Sequence, residues 1–143
     1  MGATGPAASP VMRAAHSWRK AKAHLAELEG QDPDKAPMAV IHSAYYAMFH
    51  AARAVLFQAS GAAPHRHDRV IGAFGRLVRD GDASLRRCGR GLNAVKDDRL
   101  DADHNEELDP AAAEAEEAAK LARDFLAACC LAFGLDPVRP PEM

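Results

Sequence analysis

The stretch Tyr45-Tyr46-Ala47-Met48-Phe49-His50-Ala51-Ala52-Arg53-Ala54-Val55-Leu56 decides the fold. Extended back to Pro37 and on to about Ala59, it is apolar over most of a helical circumference. Ile41, Ala44, Tyr45, Met48, Ala52, Val55 and Leu56 recur at spacings of three and four and make one broad face, with Ala47, Ala51 and Ala54 beside it. A helix apolar nearly all round belongs at the centre of a domain. Its alanines let neighbouring helices come close.

Four more helices frame this one. Ser9-Pro10 is a start signal, a capping hydroxyl before proline at the first helical position. Ala15, Trp18, Ala21, Leu25 and Leu28 then make a stripe that ends at Gly30, with His16, Arg19, Lys20, Lys22 and Glu27 around the rest. The loop from Gln31 to Ala36 holds Pro33, so the central helix begins after Asp34 or Lys35, with Pro37 in its first turn. Ser60-Gly61-Ala62-Ala63-Pro64 ends it. A third helix carries Val70, Ile71, Phe74, Leu77 and Val78 and stops at Gly81. A fourth opens at Asp82 or Ser84 and carries Leu85, Cys88, Leu92 and Val95. Gly89 and Gly91 cost it about 1 kcal/mol each relative to alanine, which predicts a short or kinked helix. After the acidic stretch from Asp97 to Asp109, Asp109-Pro110 starts a last helix along Ala115, Ala118, Ala122, Phe125, Leu126, Cys129 and Phe133, ending at Gly134. The reading is all-α: an antiparallel bundle of four to five helices in one domain, 9–134. A flexible leader, 1–8, precedes it and a proline-rich tail, 135–143, follows.

Composition agrees. In 143 residues, 48% are hydrophobic, 27% charged and 6% aromatic, the balance of one globular domain. β-Branched residues are scarce and Thr4 is the sole threonine, which disfavours sheet. Eighteen Lys and Arg against twenty Asp and Glu leave a net charge of −2, not that of a strongly cationic nucleic-acid or membrane binder. No run of about 18 apolar residues predicts a membrane span. Met1 to Pro10 lacks the basic-then-apolar pattern of a secretory signal, so a cytoplasmic protein is expected. Cys88, Cys129 and Cys130 have no CxxC or zinc spacing and read as reduced, buried thiols. No residue pattern calls for a metal or another cofactor.

The central segment is followed by His67-x-x-Val70-x-x-x-Phe74, Gly81, then Arg99-Leu-Asp-Ala-Asp-His104, and an Ala/Glu-rich helix reaching Phe125-Leu126. This order resembles the HEPN superfamily over about residues 12–133, in particular its small single-domain members. The resemblance implies a bundle of four to five helices that forms a homodimer. In many relatives an Arg-x4–6-His motif makes a metal-independent endoribonuclease site at the dimer interface. Many are toxins of toxin–antitoxin systems, neutralised by a minimal nucleotidyltransferase. Others have lost catalysis and serve as binding or scaffold modules for a nucleotide or a protein partner.

Arg99 and His104 suit that chemistry. Metal-free RNA cleavage needs a base for the ribose 2′-OH, an acid for the leaving oxygen and a cation for the phosphorane. Histidine titrates near neutrality. Arginine is permanently charged and its fork fits phosphate oxygens. A five-residue step turns about 140° around a regular helix. The pair therefore converges if the helix unwinds after Arg99, or if two protomers each contribute. Arg87, Arg90 and Lys96, with Arg86, form a candidate phosphate-binding ridge on the fourth helix.

Against cleavage stand Leu100, where RNA-cutting relatives usually carry a polar residue, and a crowd of carboxylates: Asp97, Asp98, Asp101, Asp103, Glu106, Glu107 and Asp109. Carboxylates oppose the counter-ion exchange that drives RNA binding. Glu106 stands where one branch of the family has a modifiable tyrosine. Asp101, Asp103 and Asn105 alternate like EF-hand ligands, but Glu106 and Ala112 occupy the glycine and bidentate glutamate positions, so that reading fails. His65 and His67 read as polar capping at a helix start. Tyr45, Tyr46, Phe49 and His50 read as core or dimer interface. No glycine-rich phosphate loop is present, and Gly72, Gly75, Gly89 and Gly91 fall inside helical patterns.

Overall fold

The computed structural model describes residues 9–104 and 112–137, and of 98–104 the backbone alone. Five helices, and no strand among the described residues, make the fold: α1 (Pro10–Glu29), α2 (Pro37–Ser60), α3 (His67–Val78), α4 (Ala83–His104) and α5 (Ala112–Phe133). The leader 1–8 and the Asp109-Pro110 start lie outside the described residues, as does the tail beyond Pro137.

Local signals set the ends. Ser9 Oγ accepts from the Met12 amide at 3.2 Å and Pro10 occupies the first position of α1. Asp82 Oδ1 accepts from the Leu85 amide at 3.0 Å, which makes Asp82 the cap of α4. Gly61, at φ 78°, ends α2 in the left-handed region, where a Cβ would be strained. Gly134, at φ 67°, does the same after α5.

α2 packs against all four other helices and is the core's axis. Its Tyr45, Met48 and Val55 are fully enclosed, together with Trp18 of α1, Phe74 of α3, Leu92 of α4 and Phe125 and Leu126 of α5. The Phe74 and Phe125 rings stack 5.1 Å apart. Small residues let these helices close: Ala44, Ala47, Ala51, Ala52 and Ala54 are buried along α2.

The bundle is not antiparallel throughout. Trp18 Nε1 donates to the Asp136 carbonyl at 2.7 Å, and Arg123 forks onto Glu29 at 2.6 and 3.2 Å, so α1 and α5 run in opposite directions. α1 is antiparallel to α2 as well. Two helices antiparallel to the same third helix must run parallel to each other. The Gln58 amide accordingly meets the Phe133 carbonyl at 3.3 Å, C-terminal end to C-terminal end.

α4 is neither short nor broken; it runs 22 residues. Its glycines serve approach. A Cβ at Gly89 would meet Val78 Cγ2 at 3.2 Å and the Gly75 Cα at 3.7 Å, and one at Gly91 would meet Leu121 Cδ2 at 2.6 Å. The helix gives up propensity at two positions where α3 and α5 need the space.

Candidate functional site

The close crossing of α3 and α4 leaves a cleft of about 450 Å³. Gly72, Gly75 and Gly89 line it, and a Cβ built on Gly75 would meet nothing within 4 Å, so that position faces open space. Around the glycines stand Arg79, Arg86, Arg90 and Lys96, with Asn93 and, as the single carboxylate among the described lining residues, Asp68. Four cations against one acid make the described lining positive on a chain of net charge −2. Arg86 also donates to the Gly81 carbonyl, which ties it to the turn joining the two helices. The volume lies within the range of small-ligand clefts, and arginine forks over an apolar floor suit phosphate oxygens.

Arg90 and Lys96 therefore share one cleft. Arg87 is absent from its lining; it is exposed, with its guanidinium 3.5 Å from Ser84 Oγ. Arg79 and Asn93 entered no sequence pattern. The signal that would have found them was the glycine set at 72, 75 and 89, which costs helix stability without forming a loop.

Arg99 and His104 lie on the last turns of α4. Their side chains, and those of Leu100, Asp101 and Asp103, lie outside the described residues, as do Asn105 to Asp109. The backbone stays helical through His104, so unwinding after Arg99 does not bring the pair together. A five-residue step is about 140° around a regular helix.

A second polar layer sits on the N-terminal half of α2. Tyr45 and His67 share a 2.6 Å hydrogen bond between the hydroxyl and Nδ1, and His67 stacks on Phe49 at 4.0 Å. His67 thus joins an aromatic layer and is no capping residue; Arg66 holds the cap position of α3, without a side-chain bond. Tyr45 and Phe49 are core, while Tyr46 and His50 are half-buried against His24 of α1. The His24 and His50 rings stack 5.4 Å apart, 3° from parallel. Burial first, then the charges of His24, Lys20, Arg53 and His67, push His50 from 6.5 down to about 4. It is neutral near pH 7.

Comparison with known families bears directly on this arrangement. The model of the HEPN domain family matches residues 14–132, which takes in part or all of every helix of the bundle. The chain belongs to the HEPN family. No curated protein and no solved structure matches it. This HEPN chain has no helix, among its described residues, long and apolar enough to cross a membrane. Nor do its described His, Cys, Asp and Glu residues gather in threes as a metal site requires. In this HEPN chain Cys88 and Cys129 are buried, and burial raises both thiols, Cys88 to about 11. Cys130 is half-exposed, and its thiol donates to the Leu135 carbonyl at 3.0 Å.

Proposed function

We propose that this HEPN protein is a metal-independent endoribonuclease, the toxin half of a toxin–antitoxin pair whose other half is a minimal nucleotidyltransferase. It acts as a homodimer. RNA phosphates enter the α3–α4 cleft on Arg79, Arg90 and Lys96. Arg99, one turn beyond Lys96, holds the scissile phosphate and stabilises the charge that builds on it. His104 of the opposing protomer moves the proton between the 2′-OH and the leaving 5′-oxygen.

The observation that supports this most is the continuity of α4. The helix that lines a positively charged, glycine-floored cleft with Arg90 and Lys96 runs on, without a break, to Arg99 and His104. Substrate held in the cleft is thereby led along one rigid element toward the reactive pair. That same regularity separates Arg99 from His104 within a protomer, which supports pairing across two copies.

The test is cleavage of RNA by purified protein in EDTA. Wild type is expected to cut, and Arg99→Ala and His104→Ala each to lose about 100-fold or more, the scale of acid–base and charge stabilisation. Cleavage untouched by both changes would refute the assignment.

A second reading, a catalytically silent HEPN module, is favoured by Leu100 after the arginine and by the carboxylates at 97, 98, 101 and 103. It predicts RNA or nucleotidyltransferase binding with no cleavage by wild type.

A further inference from the structure

We propose that the pocket between the start of α1 and the end of α2 binds a phosphomonoester dianion, held by the guanidinium groups of Arg13, Arg19 and Arg53. This site is distinct from the α3–α4 cleft and does not rest on the nuclease reading.

Three observations lead here. The pocket, about 340 Å³, is lined by those three arginines with His16 and Ser17, over Met12 and Phe57; no carboxylate is among its described lining residues. The sequence shows why. From Met1 to Ala26 there is no Asp or Glu, and none from Lys35 to His67. The acids of the chain are spent elsewhere, so α1 and α2 pack a cationic seam that the near-zero net charge conceals.

The second observation is Arg53 itself. It is half-buried, its guanidinium lies 5.5 Å over the Phe57 ring, and its Nε is buried with no hydrogen-bond partner among the described residues. No described ion pair involves it, in contrast to Arg123, which has Glu29. A cation taken partly out of water normally comes with an anion. Here the protein supplies an aromatic face that fixes the fork and leaves the counter-ion to a ligand.

The third is charge matching. A carboxylate carries one charge and two oxygens. A phosphomonoester brings nearly two charges and three oxygens, which answers three guanidinium forks and His16 together. Met12, exposed at 63%, gives the ester's organic group an apolar wall. The shared chemistry admits two sources, a free phosphomonoester or the 5′-phosphate of an RNA chain.

Calorimetric titration with four probes tests it: inorganic phosphate, phenyl phosphate, and an uncleavable 2′-O-methyl RNA tetramer with and without a 5′-phosphate. Wild type is expected to bind the phosphomonoesters saturably. The exposed pair R13Q/R19Q, and separately Arg53→Lys, which keeps charge but loses the fork, should each weaken binding roughly tenfold or more, the scale of one charge-assisted hydrogen bond. Lys120→Gln, an exposed cation on α5 outside the lining of either pocket, should change phenyl phosphate binding less than about twofold. Tighter binding of phenyl phosphate than of 5′-phosphorylated tetramer assigns the site to free esters; the reverse assigns it to RNA ends. Absence of saturable binding, or binding by the R13Q/R19Q and Arg53→Lys variants equal to that of wild type, overturns the proposal. Phosphate binding by a wild-type protein that does not cleave RNA would refute the nuclease reading and keep this one.

Discussion

Gly89 of α4 lies against Gly75 of α3 so closely that a Cβ at position 89 would stand 3.7 Å from the Gly75 Cα. The relation is not symmetrical. A Cβ on Gly75 meets nothing within 4 Å, because it faces the cleft and not the crossing. Gly75→Ala therefore gains helix propensity without a clash, about 0.5–1 kcal/mol. Gly91→Ala must displace Leu121, whose Cδ2 would be 2.6 Å away. Thermal unfolding should rank Gly75→Ala above wild type and Gly91→Ala below it. Gly91→Ala melting at or above Gly75→Ala would contradict this packing. The same Gly75→Ala protein should bind RNA more weakly, since its methyl group occupies the cleft floor.

The bundle was legible because its signals are local and redundant. Ser9-Pro10, Gly61, Asp82 and Gly134 mark helix ends by chain chemistry alone, and the α2 stripe declares its own centrality. The direction of α5 relative to α2 was not legible, since it depends on which helices share a neighbour. Gly89 and Gly91 misled for a related reason: propensity counts what a glycine costs its own helix, and the gain lies on Val78 and Leu121 of other helices. Of the site, Arg90 and Lys96 were legible as cations of one helix, but Arg79 joins them from α3 and no single-helix pattern contains it. Arg53 is one charge on an apolar helix in sequence; that no described carboxylate pairs with it is visible only once α1 is beside it.

Acidification tests the histidine layer. His50 is held near 4 in the folded chain and returns to about 6.5 on unfolding. Between those values the unfolded chain binds more protons, so folding stability falls as pH drops through that window and is unaffected by it near neutrality. Urea unfolding of wild type and His50→Gln should show the stability difference between them shrinking as pH falls from about 7 to about 4.5. A pH-independent difference would show that His50 is not held neutral by the fold.

The thiols divide by burial. With Cys88 raised to about 11 and Cys129 also pushed well above the ordinary thiol range by its enclosure, neither supplies thiolate at pH 8 in the native state. A chromogenic disulfide reagent should label Cys130 first and the other two at the rate of unfolding. Fast labelling of all three in native protein contradicts the buried positions.

RNA affinity should carry the signature of the cleft. Arg90→Gln removes one phosphate contact and should reduce the slope of log affinity against log salt by about 0.7 for single-stranded RNA. Arg87→Gln, outside the cleft lining, should leave the slope unchanged. Equal effects of the two changes would dissociate binding from the α3–α4 cleft.

The most direct trial of the nuclease account is complementation in EDTA. Arg99→Ala and His104→Ala proteins are each assayed on RNA, then unfolded together, refolded as a mixture and assayed again. If each reactive centre takes its arginine from one protomer and its histidine from the other, mixed dimers regain one intact site and the mixture cuts RNA at a measurable fraction of the wild-type rate. A mixture as inactive as its two components, beside an active wild type refolded in the same way, contradicts the two-protomer site; a wild type that never cuts contradicts the enzyme.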